Sequence, residues 1–324
     1  MRKTNIGGQG VLDGIMMRSE KKSALAVRKE DGTIGLEVWD NPSHESLIYR
    51  IPVVRGIFNF VGMLFNGTRV LLRSAELTGN DDEEYVPSAM EKKIAEKTGK
   101  KSEDVMMFFA VVVSLALSIG LFFLLPTLVA NLFRNVITSP FVMNLIEGII
   151  RIVIFLTYVF LISFMKEIKT VFRYHGAEHK TITCYEMELP LDAAHVKQQP
   201  RLHPRCGTSY LLLVMIISTL IYSLFPWVSN LLLRFLTKLL LLPLIAGVSY
   251  EVLKLLARYD NPLTMALRWP GMQLQRLTTR EPDEDIINVA IVAFEAALGE
   301  KSEQELNDMM DRFSLRKEEE SEVS

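Results

Sequence analysis

The pattern with the clearest chemistry in this sequence is His175-Gly-Ala-Glu178-His179. Two histidines four residues apart share one face of a helix, where their imidazoles can hold a single divalent cation. The order His-x-x-Glu-His is that of the inverted zincin motif, in which the histidines bind zinc and the acid serves as general base. Downstream, His203-Pro-Arg-Cys206 offers an imidazole and a thiol as further ligands, and Glu251, beside Tyr250, offers a carboxylate. The expected site is therefore Glu178 as the catalytic base, with His175, His179, His203, Cys206 and Glu251 around a divalent metal. Zinc suits the His and Cys donors best, with iron or another transition metal as alternatives. Each group also has a plainer reading. The two histidines could be surface residues of an amphipathic helix end, Cys206 a buried thiol behind Pro204, and Glu251 the partner of Lys254 or Arg258. Cys184 and His195 read as packing and loop residues.

The elements that must position these groups are mostly helices, and several are membrane-like. Apolar residues make up 49% of the 324 and charged residues 23%, figures that on average would describe a soluble protein. Their distribution says otherwise, because residues 105–133 and 206–233 contain no acidic or basic side chain and a bilayer-crossing helix needs only about 20 apolar residues. Four spans are expected, near 105–130, 141–165, 208–229 and 231–257, within a membrane domain of residues 105–257 that carries a cytoplasmic loop at 166–207. Glu147 and Arg151 interrupt the second span four residues apart, acid first, and are expected to neutralise one another. A transport path would need more polar lining than this pair supplies.

The flanking segments are more polar. Residues 1–50 read as a β-rich region in which residues 24–39 form a hairpin around Asp31-Gly32; Gly7-Gly8-Gln9-Gly10 reads as a turn, and nothing near it has the apolar core of a signal peptide. Residues 52–76 read as an amphipathic or re-entrant helix, with Arg55, Asn59, Gly62, Asn66, Arg69 and Arg73 on one solvated stripe and apolar residues elsewhere. Residues 80–104 are a charged connector. Within residues 258–300, a helix runs from Asp283 to a stop at Gly299, and the acidic tail 301–324 reads as disordered.

Charge sets orientation and excludes one class of partner. Thirty-six basic against 38 acidic residues leave a net charge of −2, without the basic excess of a nucleic-acid binder. Lys166, Lys169, Arg173, Lys180, Lys197, Arg201 and Arg205 gather between the second and third spans, whereas Arg134 alone lies between the first and second. Positive flanks stay cytoplasmic, so both termini and the candidate site are expected on that side. Both cysteines would then be in a reducing compartment, where a disulfide is not expected.

Four motifs occur together: Gly7-Gly-Gln-Gly-Val-Leu-Asp-Gly-Ile-Met-Met-Arg18, Tyr174-His-Gly-Ala-Glu-His-Lys180, His203-Pro-Arg-Cys-Gly-Thr-Ser-Tyr210, and Pro270-Gly-Met-Gln-Leu-Gln-Arg-Leu-Thr-Thr-Arg-Glu-Pro282. In these the chain resembles the YqhQ-like family of bacterial multi-pass membrane proteins of unknown function, over nearly its whole length to about residue 300. The resemblance implies a multi-pass topology and a metal carried by His175, Glu178, His179, His203 and Cys206; it implies no substrate. The expected function is a metal-dependent hydrolase at the cytoplasmic membrane face, acting on a membrane protein segment or a lipid headgroup. The alternative is a non-catalytic assembly or regulatory factor whose structural metal site supports binding to another membrane protein complex.

Overall fold

The computed structural model describes residues 4–42, 51–79, 102–259 and 261–322. The chain divides into two compact units, one formed by Met1–Asn80, Val159–Val214 and Pro243–Ser324 and the other by Asp81–Tyr158 and Met215–Leu242.

The first unit is organised around an antiparallel sheet of four strands in sequential order, β1 (Gly7–Val11), β2 (Gly14–Arg18), β3 (Lys22–Arg28) and β4 (Ile34–Asp40). The expected hairpin is present: Arg28 pairs with Ile34, and Gly32 supplies the positive φ of 84° that the turn requires. The sheet is twice as large as that hairpin. Gly7–Gly10 form a strand, not a turn, paired in register with Ile15–Arg18. Low strand propensity hides β1 in the sequence, and packing explains it. A Cβ on Gly10 would stand 2.6 Å from the Val171 carbonyl oxygen, so the missing side chains let β1 lie flat on a helix.

That helix is α5, in a series comprising α1 (Val54–Thr78), α2 (Ser102–Ile119), α3 (Leu125–Asn131), α4 (Pro140–Ile162), α5 (Lys166–Glu186), α6 (Ala193–Lys197), α7 (Thr208–Ser223), α8 (Leu231–Arg258), α9 (Pro262–Thr278), α10 (Glu284–Leu298) and α11 (Glu303–Glu322), with a π-helical turn at Gly120–Leu124 between α2 and α3. Strand alternation divides the sheet's side chains between two layers. Ile15, Met17, Ala24 and Ala26 pack with Tyr174, Ala177 and Ile182 of α5 and with Ile287, Ile291 and Phe294 of α10. Val11, Met16, Leu25 and Val27 pack with Val70 of α1. α10 is apolar on almost every face because it is buried on almost every face, with Asp283 accepting from the Ile286 N–H as its N-cap and Gly299 closing it in the left-handed conformation.

The described part of the tail, residues 301–322, departs from expectation. In place of a disordered tail, α11 begins at Glu303, and Leu306 and Met309 join the core beside α10. Its few apolar residues recur at helical spacing, which average polarity conceals. Of the charged connector expected at 80–104, residues 80–101 lie outside the described residues and the rest opens the helix Ser102–Ile119.

Among the described residues, three helices are long and apolar enough to cross a membrane: Phe109–Asn131, Pro140–Ile162 and Leu231–Arg258. The expected span at 208–229 is a helix only over Thr208–Ser223, which at about 1.5 Å per residue is shorter than a hydrocarbon core of roughly 30 Å. α1 presents Phe58, Val61, Leu64, Phe65, Leu71 and Leu72 to the outside, while Val70, Ser74 and Thr78 face inward.

Candidate metal centre

α5 carries His175, Glu178 and His179, and its neighbours determine how each side chain is used. On one side, a Cβ on Gly176 would fall 2.1 Å from the Arg280 carbonyl oxygen, so the segment after α9 lies directly against this turn. Arg280 N–H bonds the Phe172 carbonyl at 2.8 Å and fixes the approach. On another, Lys180 is buried and donates to the Lys197 and Gln199 carbonyls, both at 2.8 Å, and pairs with Glu281. These contacts bring residues 197–206 and 278–281 around the two histidines.

Both imidazoles are oriented by backbone carbonyls. His175 Nδ1 lies 2.8 Å from the Thr278 oxygen and His179 Nδ1 lies 2.5 Å from the Arg201 oxygen. A carbonyl can only accept, so each Nδ1 donates; in the neutral form of each ring this leaves the lone pair on Nε2, the arrangement found in metal-binding histidines. His175 Nε2 is 3.1 Å from Cys206 Sγ, which also accepts the Thr208 N–H at 3.3 Å. His179 Nε2 is buried with no hydrogen-bond partner. One ligand atom from each of His175, His179 and Cys206 lies within 4.8 Å of the others. A buried imidazole nitrogen without a partner is costly, and a cation shared with the adjacent nitrogen and sulfur removes that cost. The residues present therefore fit a divalent metal, and His2Cys is a zinc-type donor set.

Glu178 is buried beside them. Its Oε1 accepts the Gly8 N–H of β1 at 2.8 Å, while Oε2 has no partner. Burial pushes its carboxyl above the ordinary range, with the His175 ring and the Gly8 N–H pulling the other way.

His203 is close to the three candidate ligands but turned away from them. Its ring centroid is 5.7 Å from that of His179, yet its Nε2 faces Arg205 at 3.5 Å and Glu186 at 3.7 Å. Burial, the His179 ring and Arg205 lower its pKa to about 4 against the pull of Glu186, so it is a neutral imidazole at pH 7. Its backbone is clamped by Gln275, which accepts the His203 N–H and donates to the His203 carbonyl, both at 2.9 Å. Glu186 accepts from Thr4 N–H at 2.7 Å and from Arg205, tying the N-terminal segment to the same region.

Glu251 is not brought to the cluster. Arg55 of α1 takes it through two bonds, Nε to Oε1 at 2.7 Å and Nη2 to Oε2 at 2.5 Å. This bidentate pair satisfies the carboxylate, so Arg55 is not a simple solvated residue; it is the acid's hydrogen-bonded partner, and Lys254 acts on the acid only as a nearby charge. His195 lies within α6 rather than in a loop, its ring bonding the N-cap Asp192, and Cys184 donates to the Pro190 carbonyl with its thiol pushed up to about 11 by burial, in keeping with a packing role.

Sequence reasoning did not find Gln275, Thr278, Arg201 or Glu186 as supports. Two of them act through backbone carbonyls, which leave no residue-type signature. Gln275 and Thr278 do lie in the fourth motif, and their contacts explain why that segment belongs to the site.

The molecule is thus a mainly helical protein with, among the described residues, three helices of membrane-spanning length and composition, a small antiparallel sheet, and a His-His-Cys cluster in which His179 and Cys206 are buried and His175 is half-buried. The chain belongs to the family described as protein of unknown function (DUF1385), whose model matches residues 51–300. It is 36% identical over 300 residues to the uncharacterized protein YqhQ of Bacillus subtilis (strain 168), an alignment covering 90% of this chain and 92% of that protein. No solved structure matches it.

Proposed function

We propose that this chain is a metal-dependent hydrolase of the membrane, with His175, His179 and Cys206 holding a divalent metal, zinc by donor type, and Glu178 as general base. The observation that carries the reading is the partnerless, buried His179 Nε2 beside His175 Nε2 and Cys206 Sγ. Three protein ligands with a fourth position left over is the pattern of catalytic zinc, whereas structural sites fill all four. When bound, the metal supplies Lewis-acid polarisation of a carbonyl or phosphoryl oxygen. Glu178 takes a proton from water on its free Oε2 and returns it to the leaving group, while Gly8 N–H holds Oε1 in place. The substrate class is a lipid headgroup or a membrane protein segment.

A structural site is the second reading, favoured by the His203 ring 5.7 Å from that of His179. A rotation of His203 would add a fourth ligand and close the site, making the chain a non-catalytic factor that supports another membrane complex. Glu178→Gln separates the two readings, since glutamine keeps the shape but cannot take a proton. Purified wild type, added to membranes from cells lacking the chain, should release lipid or peptide products seen by mass spectrometry. The variant should keep its metal and melting temperature and release none. Equal product release from both chains would remove Glu178 as the base, and release from neither would favour the structural role.

We read four crossings, with α7 as a short one, and hence a site on the cytoplasmic side. Exposed Val111, Leu115, Leu117, Val153, Leu161, Leu232 and Leu240 on the long helices support burial in lipid, and the basic segment 166–205 supports the orientation. The outward apolar stripe of α1 suits the membrane interface. Single cysteines at Ser19, Asn135 and Lys197, in a chain without Cys184 and Cys206, should react with an impermeant reagent in intact cells only at position 135. Labelling at 197 would overturn the cytoplasmic site, and labelling at 19 would make α1 a further crossing.

A further inference from the structure

Glu147 and Arg151 do not form the isolated pair that their spacing suggests. Four buried side chains converge on the Glu147 carboxylate in the second unit: Arg151 Nη2 at 2.8 Å and Thr127 Oγ1 at 2.9 Å on Oε1, Lys238 also on Oε1, and Arg234 on Oε2. Arg151, Arg234 and Lys238 are each less than a tenth exposed, as is Glu147. Among the described residues, three cations therefore face one anion. Glu147 is also the single acidic residue in the apolar stretches 105–158 and 215–242, so these stretches hold no second carboxylate to balance the excess.

Polar and aromatic neighbours engage the cations without neutralising them. Arg151 Nε donates to the Phe122 carbonyl of the π-helical turn at 3.1 Å, a class of helix defect common at functional sites. Arg234 Nη2 donates to Asn144 at 3.1 Å, and its guanidinium stacks 3.2 Å from the Trp227 ring centroid. Lys238 and Arg151 both approach the Tyr222 ring, at 5.6 Å. Arg234 Nε remains buried with no acceptor.

Position favours an anion delivered from one membrane surface. Glu147 is seven residues inside the start of α4 and Lys238 seven inside the start of α8, about 10 Å along each axis. Arginine and lysine side chains near helix ends extend towards the headgroup layer. Guanidinium groups also match the oxygens of a phosphate by paired hydrogen bonds.

We infer that the Glu147, Arg151, Arg234 and Lys238 cluster is a binding site for a phosphate oxyanion, borne by an anionic lipid headgroup or present as free phosphate. The site is separate from the His-His-Cys cluster and needs no metal. Glu147 holds the three cations in a fixed array, and the ligand supplies the missing negative charge at Arg234 and Lys238.

The test uses the full chain in neutral detergent. Its melting temperature is followed against inorganic phosphate, against sodium chloride at matched ionic strength, and against mixed micelles of phosphatidylglycerol or phosphatidylcholine. A bound ligand raises the melting temperature with the logarithm of its concentration. Stabilisation by phosphate beyond chloride identifies a site for free phosphate, and stabilisation by phosphatidylglycerol beyond phosphatidylcholine identifies the lipid headgroup. Loss of one charge-assisted contact in Arg234→Gln should weaken the effective ligand about tenfold. Glu147→Gln, which removes the competing anion and keeps every cation, should bind it more tightly than wild type. That comparison stands if Arg234→Gln fails to fold. Melting that ignores both phosphate and phosphatidylglycerol, or that responds equally to chloride, would overturn the inference, as would weaker binding by Glu147→Gln.

Discussion

His179→Ala is expected to lower metal affinity by more than about a hundredfold, beyond the 10–100-fold typical of removing a partner outside the ligand shell. His179 contributes the nitrogen whose burial without a partner marks the site, and its ring is 4.5 Å from that of His175 across one helical turn. The variant leaves His175 and Cys206 as two ligands, too few for a stable tetrahedral site. Because metal bound only by the folded chain stabilises it, wild type should lose melting temperature on exposure to a chelator, and His179→Ala should start low and respond little. Isothermal titration of zinc into metal-stripped protein gives the affinities directly. An unchanged affinity in His179→Ala would remove this residue from the ligand set.

Phe294→Ala is expected to cost about 3–5 kcal/mol of stability, the range for deleting a buried aromatic side chain. Phe294 is fully buried in α10 and its ring lies 5.0 Å from that of Tyr185 on α5. It thus joins α10 to the helix that carries the histidines, and the cavity would open between them. Against a total stability of roughly 5–15 kcal/mol, such a loss should unfold much of this unit under mild denaturant. Hydrogen exchange of the β2 and β3 amides, followed by mass spectrometry, should show protection falling throughout the sheet. A loss under about 1 kcal/mol would mean that the neighbours collapse into the space, contrary to the packing described.

Much of this architecture was legible because periodicity reports burial. The long apolar runs, the helix from Asp283 to Gly299 and the hairpin around Asp31-Gly32 all follow from patterns within short windows. β1 was not legible, because its glycines meet the needs of α5 packing on it, and α11 was not, because Leu306 and Met309 are sparse among charges. At the site, His175 and His179 were legible from helical spacing and Cys206 from its neighbouring histidine. The orientation of His203 towards Arg205 and the capture of Glu251 by Arg55 were not, since each depends on a partner distant in sequence. The Glu147 cluster was half legible: the acid and Arg151 share a helix, but Arg234, Lys238 and Thr127 arrive from elsewhere.

The central claim is that His175, His179 and Cys206 hold one metal ion, and X-ray absorption on full-length protein purified without chelator tests it most directly. Elemental analysis of the same sample should find about one zinc per chain, and the absorption fine structure should show one sulfur at about 2.3 Å with nitrogen or oxygen neighbours at about 2.0–2.1 Å. The sulfur contribution should vanish in Cys206→Ser. A protein without stoichiometric metal, or a bound metal with no sulfur neighbour, would contradict the account.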